Sequence, residues 1–300
     1  LNKLSVFQAI RGHVETLGPY FFRRINLPKS EKVEIPTEDG DFLDAEVWQT
    51  GGKDWVILTH GLEGSSKAVY IRAAAKFHLE EGKNVLAWNF RACSGRLNAK
   101  PRLYHSGAYQ DLKNVVEFIH SQFQPDAVKT VGFSLGGNLT LVFLARMSST
   151  WLEEKKVKSG MAISVPLNLA ASSRKLECWH NLPYSFNFLK ELKAKIRWKS
   201  IQFPDEINTE PLDQCHTVWC FDDFFTAPLH GFKDAEEYYR KCASLYFLPQ
   251  VQIPAKIILA ENDPMLARGN YPELKNLNPL VSIEIRKNGG HCGFWGQRLF

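Results

Sequence analysis

A serine set between two glycines, Gly132-Phe133-Ser134-Leu135-Gly136, is the pattern in this chain with the clearest capacity for chemistry. An apolar run, Thr130 to Phe133, precedes it and a helical stretch, Leu135 to Met147, follows it. G-x-S-x-G between a strand and a helix predicts a sharp turn in which the glycines leave room for a strained serine backbone. The serine hydroxyl then sits at a helix N-terminus, where the dipole favours developing negative charge. Such a nucleophile needs a base to take its proton and an acid to orient that base. Both are available downstream. The strand-like KIILA runs into Glu261-Asn262-Asp263-Pro264, with Asp263 placed 129 residues after Ser134. Asn288-Gly289-Gly290-His291-Cys292-Gly293-Phe294 then sets His291 on a glycine-flanked loop 28 residues beyond Asp263, a setting that none of the other histidines has.

Three further carboxylates compete for the acid's role. Glu261 is expected still to lie on the strand, while Asp222 and Asp223, in FDDFFTAP, read as helix caps. Asp263 is therefore the favoured acid. Acyl transfer also needs donors for an oxyanion. Thr59-His60-Gly61-Leu62-Glu63-Gly64-Ser65-Ser66 follows the strand-like WVILT and precedes a helical stretch. Its glycines allow the Leu62 amide to face Ser134, where it would pair with the amide of Leu135. His60, first in an H-G turn, is expected to hydrogen-bond its own loop.

These residues need elements to hold them. Trp55–Thr59, Asn84–Trp88, Thr130–Phe133, Met161–Val165 and Lys256–Ala260 are near-continuous apolar runs, as strands buried on both faces of a parallel sheet would be. Phe42–Trp48 alternates and reads as a half-exposed edge strand. Helical stretches at 68–81, 109–123 and 135–147 alternate with the strands and predict a doubly wound α/β sheet. Residues 167–250 break the alternation. They are aromatic, charged and helical in pattern, and read as a cap inserted within one domain spanning 1–300.

In order along the chain, HGLEGSS, NFRACSG, GFSLGGN, FDDFFTAPLHGF, ENDP and GGHCGF resemble the motifs of the YheT-like branch of the α/β-hydrolase superfamily. The resemblance runs from about Glu31 to Phe300. It implies the α/β-hydrolase fold with a helical cap, a Ser134–Asp263–His291 triad and chemistry on carboxylic esters. It also sets the expected acyl length at about four to ten carbons. Ala92 stands where the family's NFRGCSG has glycine, so the loop after NVLAW is expected to sit differently. An acyltransferase using the same acyl-enzyme, or a non-catalytic binding protein on the same fold, are the alternative readings. The absence of an H-x-x-x-x-D motif weakens the first, and the presence of all three triad candidates argues against the second.

Composition narrows the remaining choices. With 300 residues, 44% hydrophobic and 23% charged, the chain has ordinary globular usage, and a net charge of +5 does not suggest a nucleic-acid partner. Six cysteines in a chain of this length make no disulfide framework, which makes the cytoplasm the default compartment, although an upstream targeting segment could precede Leu1. Cys215, His216 and Cys220 have no common zinc spacing, and no phosphate-cradling motif is present, so neither metal nor organic cofactor is expected. Cys292 adjoins the base but is not on an elbow, and Cys93, near Arg91 and Arg96, is a place where a thiol pKa could fall, with packing of the loop as the favoured reading. Two readings compete for Phe188–Lys199. One is a cap helix with Leu189, Leu192 and Ile196 inward, and the other is weak contact of its five basic residues with an anionic lipid surface. Tyr184, Phe186, Trp219, Phe221, Phe224 and Phe225 are expected to supply the walls of an acyl channel or the glue between cap and sheet.

Overall fold

The apolar runs form the middle of an eight-stranded sheet in the computed structural model, which describes residues 3–271, 277–294, 296–297 and 299–300. The strands are β1 (Glu31–Pro36), β2 (Phe42–Trp48), β3 (Asp54–Thr59), β4 (Asn84–Trp88), β5 (Ala127–Phe133), β6 (Val157–Ile163), β7 (Ala255–Ala260) and β8 (Val281–Arg286). Their order across the sheet is β1-β2-β4-β3-β5-β6-β7-β8. Only β2 runs against its neighbours. This is the α/β-hydrolase architecture.

Continuous apolar strands are required because both faces are covered. On β3, Trp55 and Ile57 join one apolar layer while Val56 and Leu58 join the other. The first layer packs against α3 (Tyr109–Phe123) and α4 (Leu135–Arg146), the second against α2 (Val69–Glu80). Two differences from expectation bear on the sheet. β2 is not an edge strand: β1 pairs with it outside, so Leu43, Ala45 and Val47 are buried. β6 begins at Val157, four residues before its most apolar stretch, and Lys158 and Ser159 mask that start.

Between β6 and β7 lie α5's successors in the chain: α6 (Leu169–Leu176), α7 (Leu182–Gln202), α8 (Val218–Phe221), α9 (Ala227–Leu229) and α10 (Ala235–Cys242), α5 itself being Ser149–Glu154. This insertion has its own apolar layer, in which Leu189, Leu192, Ile196 and Phe221 meet Leu103 and Met265 from loops at the sheet's end. In α7 only part of the basic run is solvated. Lys195 pairs with Glu63, and Lys199 donates to the carbonyls of Asn98 and Lys100. Arg91, from NFRACSG, is buried and binds Asp39, Asp41 and Asp111 together, tying the turn before β2 to α3. Ala92 beside it has φ 60°, the left-handed region that the family's glycine would adopt more freely.

Like β1 and α5, the long helix α1 (Lys3–Phe22) is absent from the sequence reading. No helix among the described residues is long and apolar enough to cross a membrane.

Candidate active site

Ser134 sits between the end of β5 and the start of α4 with φ 52° and ψ −122°. Non-glycine residues avoid this conformation, and the surroundings impose it. A β-carbon at Gly132 would lie 2.1 Å from the Gly136 carbonyl oxygen, and one at Gly136 would lie 2.3 Å from that of His60. Neither site can carry a side chain. The turn directs the hydroxyl toward His291, whose Nε2 lies 2.8 Å from Ser134 Oγ. On its other side His291 Nδ1 lies 2.8 Å and 3.1 Å from the two carboxylate oxygens of Asp263. Asp263 Oδ1 also accepts the Met265 amide at 2.9 Å, which fixes the carboxylate plane. The Asp263 side chain is fully buried and that of His291 nearly so.

Burial alone would lower the His291 pKa, but the Asp263 carboxylate against Nδ1 outweighs it and holds the imidazole well above the ordinary histidine range. The competing acids lie elsewhere. Glu261 is exposed, one residue past the end of β7. Asp223 accepts the Ala235 amide at the start of α10. Asp222 caps no helix. It is buried and accepts from Thr226 and Tyr239.

The loop after β3 passes directly beside the serine, for a β-carbon at Gly61 would come within 2.9 Å of Ser134 Cβ. Among the described residues, the amides of Leu62 and Leu135 have no protein partner. Both residues border the same cavity as Ser134, and unpaired N–H groups are the donors that a negatively charged oxygen requires. His60 binds its own loop: Nδ1 lies 2.7 Å from the Gly61 carbonyl oxygen, and Nε2 accepts the Phe90 amide. Burial drives its pKa down to about 3, so it is neutral. Glu63, at φ 52°, is anchored by the Tyr104 hydroxyl at 2.6 Å and by Lys195 of α7 at 2.7 Å.

Cys93 lies 3.0 Å from Lys195 Nζ, yet burial pushes its thiol up to about 12, the reverse of the shift that its basic sequence context suggests. Cys215 is raised to about 12 as well, chiefly by burial, and no cluster of three metal-binding side chains occurs among the described residues. The amide of Cys292 donates to Ser164 Oγ, so this residue serves to fix the loop that carries His291.

Sequence reasoning missed α1, which lies against both loops of the site. Glu15 Oε2 accepts the Gly289 amide at 2.7 Å and Asn262 Nδ2 at 2.9 Å. Thr16 Oγ1 accepts the His291 amide at 2.8 Å and donates to the Gly12 carbonyl. The approach is close enough that a β-carbon at Gly293 would lie 1.9 Å from the Glu15 carbonyl oxygen. One helix thus joins the residue before Asp263 to the loop bearing His291. The G-G-H-C-G glycines signalled a close approach, but nothing in the sequence named the partner.

Two cavities meet at Ser134, Leu62, Phe188, Met265 and His291. One, of about 100 Å³, lies under the insertion, and its walls combine aliphatic Leu169, Leu176, Leu192 and Val218 with polar and aromatic side chains. The other, of about 420 Å³, opens between α1, the Gly61–Lys67 loop and α7. Of the six aromatics expected at an acyl channel, Tyr184 alone lines either cavity. Phe221 and Phe225 are core residues, whereas Phe186 and Phe224 face outward.

Comparison with known proteins agrees with this architecture. Residues 54–188 match the family described as alpha/beta hydrolase fold. The chain is 32% identical over 296 residues to the Escherichia coli protein YheT, covering 96% of this chain and 85% of that one. It is 26% identical over 270 residues to the Saccharomyces cerevisiae monoacylglycerol lipase, covering 85% of this chain and 58% of that one. Among solved structures, an esterase from Pyrococcus furiosus has the same fold, with a TM-score of 0.59 at 21% identity, covering 88% of this chain and 84% of that one.

Proposed function

This chain belongs to the esterase and lipase family of α/β hydrolases with YheT, and from that premise we propose that it is a serine carboxylic-ester hydrolase whose nucleophile is Ser134. The observation that carries the reading is the unbroken line of hydrogen bonds from Ser134 Oγ through His291 to Asp263. His291 Nε2 takes the serine proton as Oγ attacks the acyl carbon, and the Leu62 and Leu135 amides hold the resulting oxyanion. Asp263 keeps the Nδ1–H tautomer in place and stabilises the imidazolium. The imidazolium then gives its proton to the departing alcohol. Water attacks the acyl-enzyme by the same route and releases the acid.

The insertion acts as a cap that forms one wall of the smaller cavity, and the acyl chain occupies that cavity. Its small volume supports short- to medium-chain acyl groups. The alcohol leaves through the wider cavity beside α1. Ser134→Ala should abolish labelling by a fluorophosphonate and lower kcat on 4-nitrophenyl esters by several orders of magnitude, because the triad acts as a unit. Full labelling of the variant, or labelling mapped to another serine, would refute the assignment.

A further inference from the structure

The cavity under the insertion is not apolar throughout. Three elements of the insertion bring a connected polar group to its wall: Ser173 from α6, Asp222 and Thr226 from the turn after α8, and Tyr239 from α10. Each is buried. Asp222 Oδ1 accepts from the Thr226 hydroxyl at 2.6 Å and Oδ2 from the Tyr239 hydroxyl at 2.5 Å. Tyr239 in turn lies 3.0 Å from Ser173 Oγ. A carboxylate offers about four acceptor positions, so two of those on Asp222 are unused. Among the described residues no cation pairs with it, and the charged neighbour that acts on it is another carboxylate, Asp223.

A hydrocarbon tail is a poor occupant of such a wall. Covering the spare acceptors of a buried carboxylate with methylenes strips their remaining hydration and returns nothing. A hydrogen-bond donor in the same place completes the group. Resting on the ester-hydrolase reading, we propose that the Asp222–Tyr239–Ser173 group is a specificity subsite for the acyl moiety, and that it selects esters of acids bearing a hydroxyl or protonated amine along or at the end of the chain. Aliphatic Leu169, Leu176 and Val218 line the same cavity and suit the methylenes between that group and the ester. Burial raises the Asp222 pKa to about 6, so at neutral pH the carboxylate form predominates and acts as acceptor.

The test compares methyl esters of unsubstituted, ω-hydroxy and ω-amino acids, with backbones of about four to eight carbons, matched for chain length. The full chain is used and the released acid is quantified. At the best-fitting length, kcat/KM for a polar-tailed ester should exceed that of its alkyl counterpart by about ten- to a hundredfold, as expected for a hydrogen bond to a charged group. Preference for ω-amino over ω-hydroxy would identify the donor as cationic, and the opposite order as neutral, each supporting the subsite. Asp222→Asn should reduce that ratio at least severalfold, and Tyr239→Phe should reduce it less. A residue that merely braces the cap would instead lower the melting temperature and slow every ester alike. Alkyl esters preferred at every length, with turnover still dependent on Ser134, would overturn the subsite and leave the hydrolase reading standing. No turnover of any ester, together with labelling that survives Ser134→Ala, would overturn both.

Discussion

Removing the Glu15 carboxylate tests whether a helix outside the sheet sets the geometry of the site. Glu15 Oε2 holds the Gly289 amide and the Asn262 side chain, and Oε1 accepts from Arg11 Nε at 2.9 Å. In Glu15→Ala the first two partners lose a charged acceptor. Such bonds contribute about 1.5–3 kcal/mol each, so about 3 kcal/mol is a conservative total when water partly replaces them. That is enough to let the loops carrying Asp263 and His291 move independently. A displacement of about 1 Å at a reacting centre can cost about a hundredfold in rate.

The expected result for Glu15→Ala is therefore a fall in kcat of about a hundredfold with little change in KM, measured with 4-nitrophenyl butyrate. Glu15→Gln retains a neutral acceptor and should lose less than about tenfold. Gly12→Ala should resemble Glu15→Ala although alanine favours helix by about 1 kcal/mol, because its β-carbon would lie 2.0 Å from the Asn262 carbonyl oxygen. The pH profile separates positioning from general instability. Loosening His291 from Asp263 removes what raises its pKa, so the acidic limb of kcat/KM should move to lower pH in Glu15→Ala. Activity within twofold of wild type, with an unmoved acidic limb, would show that α1 only rests against the site.

Further perturbations have outcomes set by the same geometry. In the wild type the acidic limb of kcat/KM should lie above the ordinary histidine range, since activity requires neutral His291 and is lost as pH falls through its raised pKa. Asp263→Asn should move that limb downward and lower kcat by on the order of 10⁴, whereas Asp223→Asn should have little effect on either, a contrast measured directly by steady-state kinetics. Arg91→Ala strands the buried Asp41 and Asp111 and should destabilise the fold by about 3–5 kcal/mol in urea titration, without changing the pH limb of whatever enzyme remains folded.

Features of the site that depend on neighbouring residues were legible in the sequence, whereas those that depend on distant contacts were not. The elbow could be read because Gly132, Ser134 and Gly136 carry their steric reason within five residues. The central strands could be read because burial on both faces leaves no polar alternation. β2 looked like an edge because its pattern cannot report β1, which is itself mostly exposed. Within α1, Gly12, Gly18 and Pro19 argue against a helix on propensity alone, and the contacts that hold it lie some 250 to 275 residues away. The rings of FDDFF read as one apolar group, yet Phe221 and Phe225 turn into the core while Phe224 turns out. The cavity under the insertion is lined instead by Leu169, Leu176, Leu192 and Val218 together with Phe188, Tyr238 and Tyr239, none of them among the six rings singled out in the sequence.

The insertion also reaches the donors of the site, beyond the cavity it covers. The Leu62 amide is presented by a loop whose next residue, Glu63, is held in a left-handed conformation. Such a conformation persists only where its surroundings over-determine it. Here Tyr104 accepts the Glu63 amide and donates to its carboxylate, while Lys195 binds the other carboxylate oxygen from α7. The same helix contributes Phe188 and Leu192 to the cavity wall. Displacing α7 to admit a larger acyl group therefore loosens Glu63 and, through it, the direction of the Leu62 N–H. On the proposed role of the Leu62 amide, cavity size and oxyanion geometry are mechanically linked, so substitutions in α7 that face away from the substrate should alter kcat as well as KM.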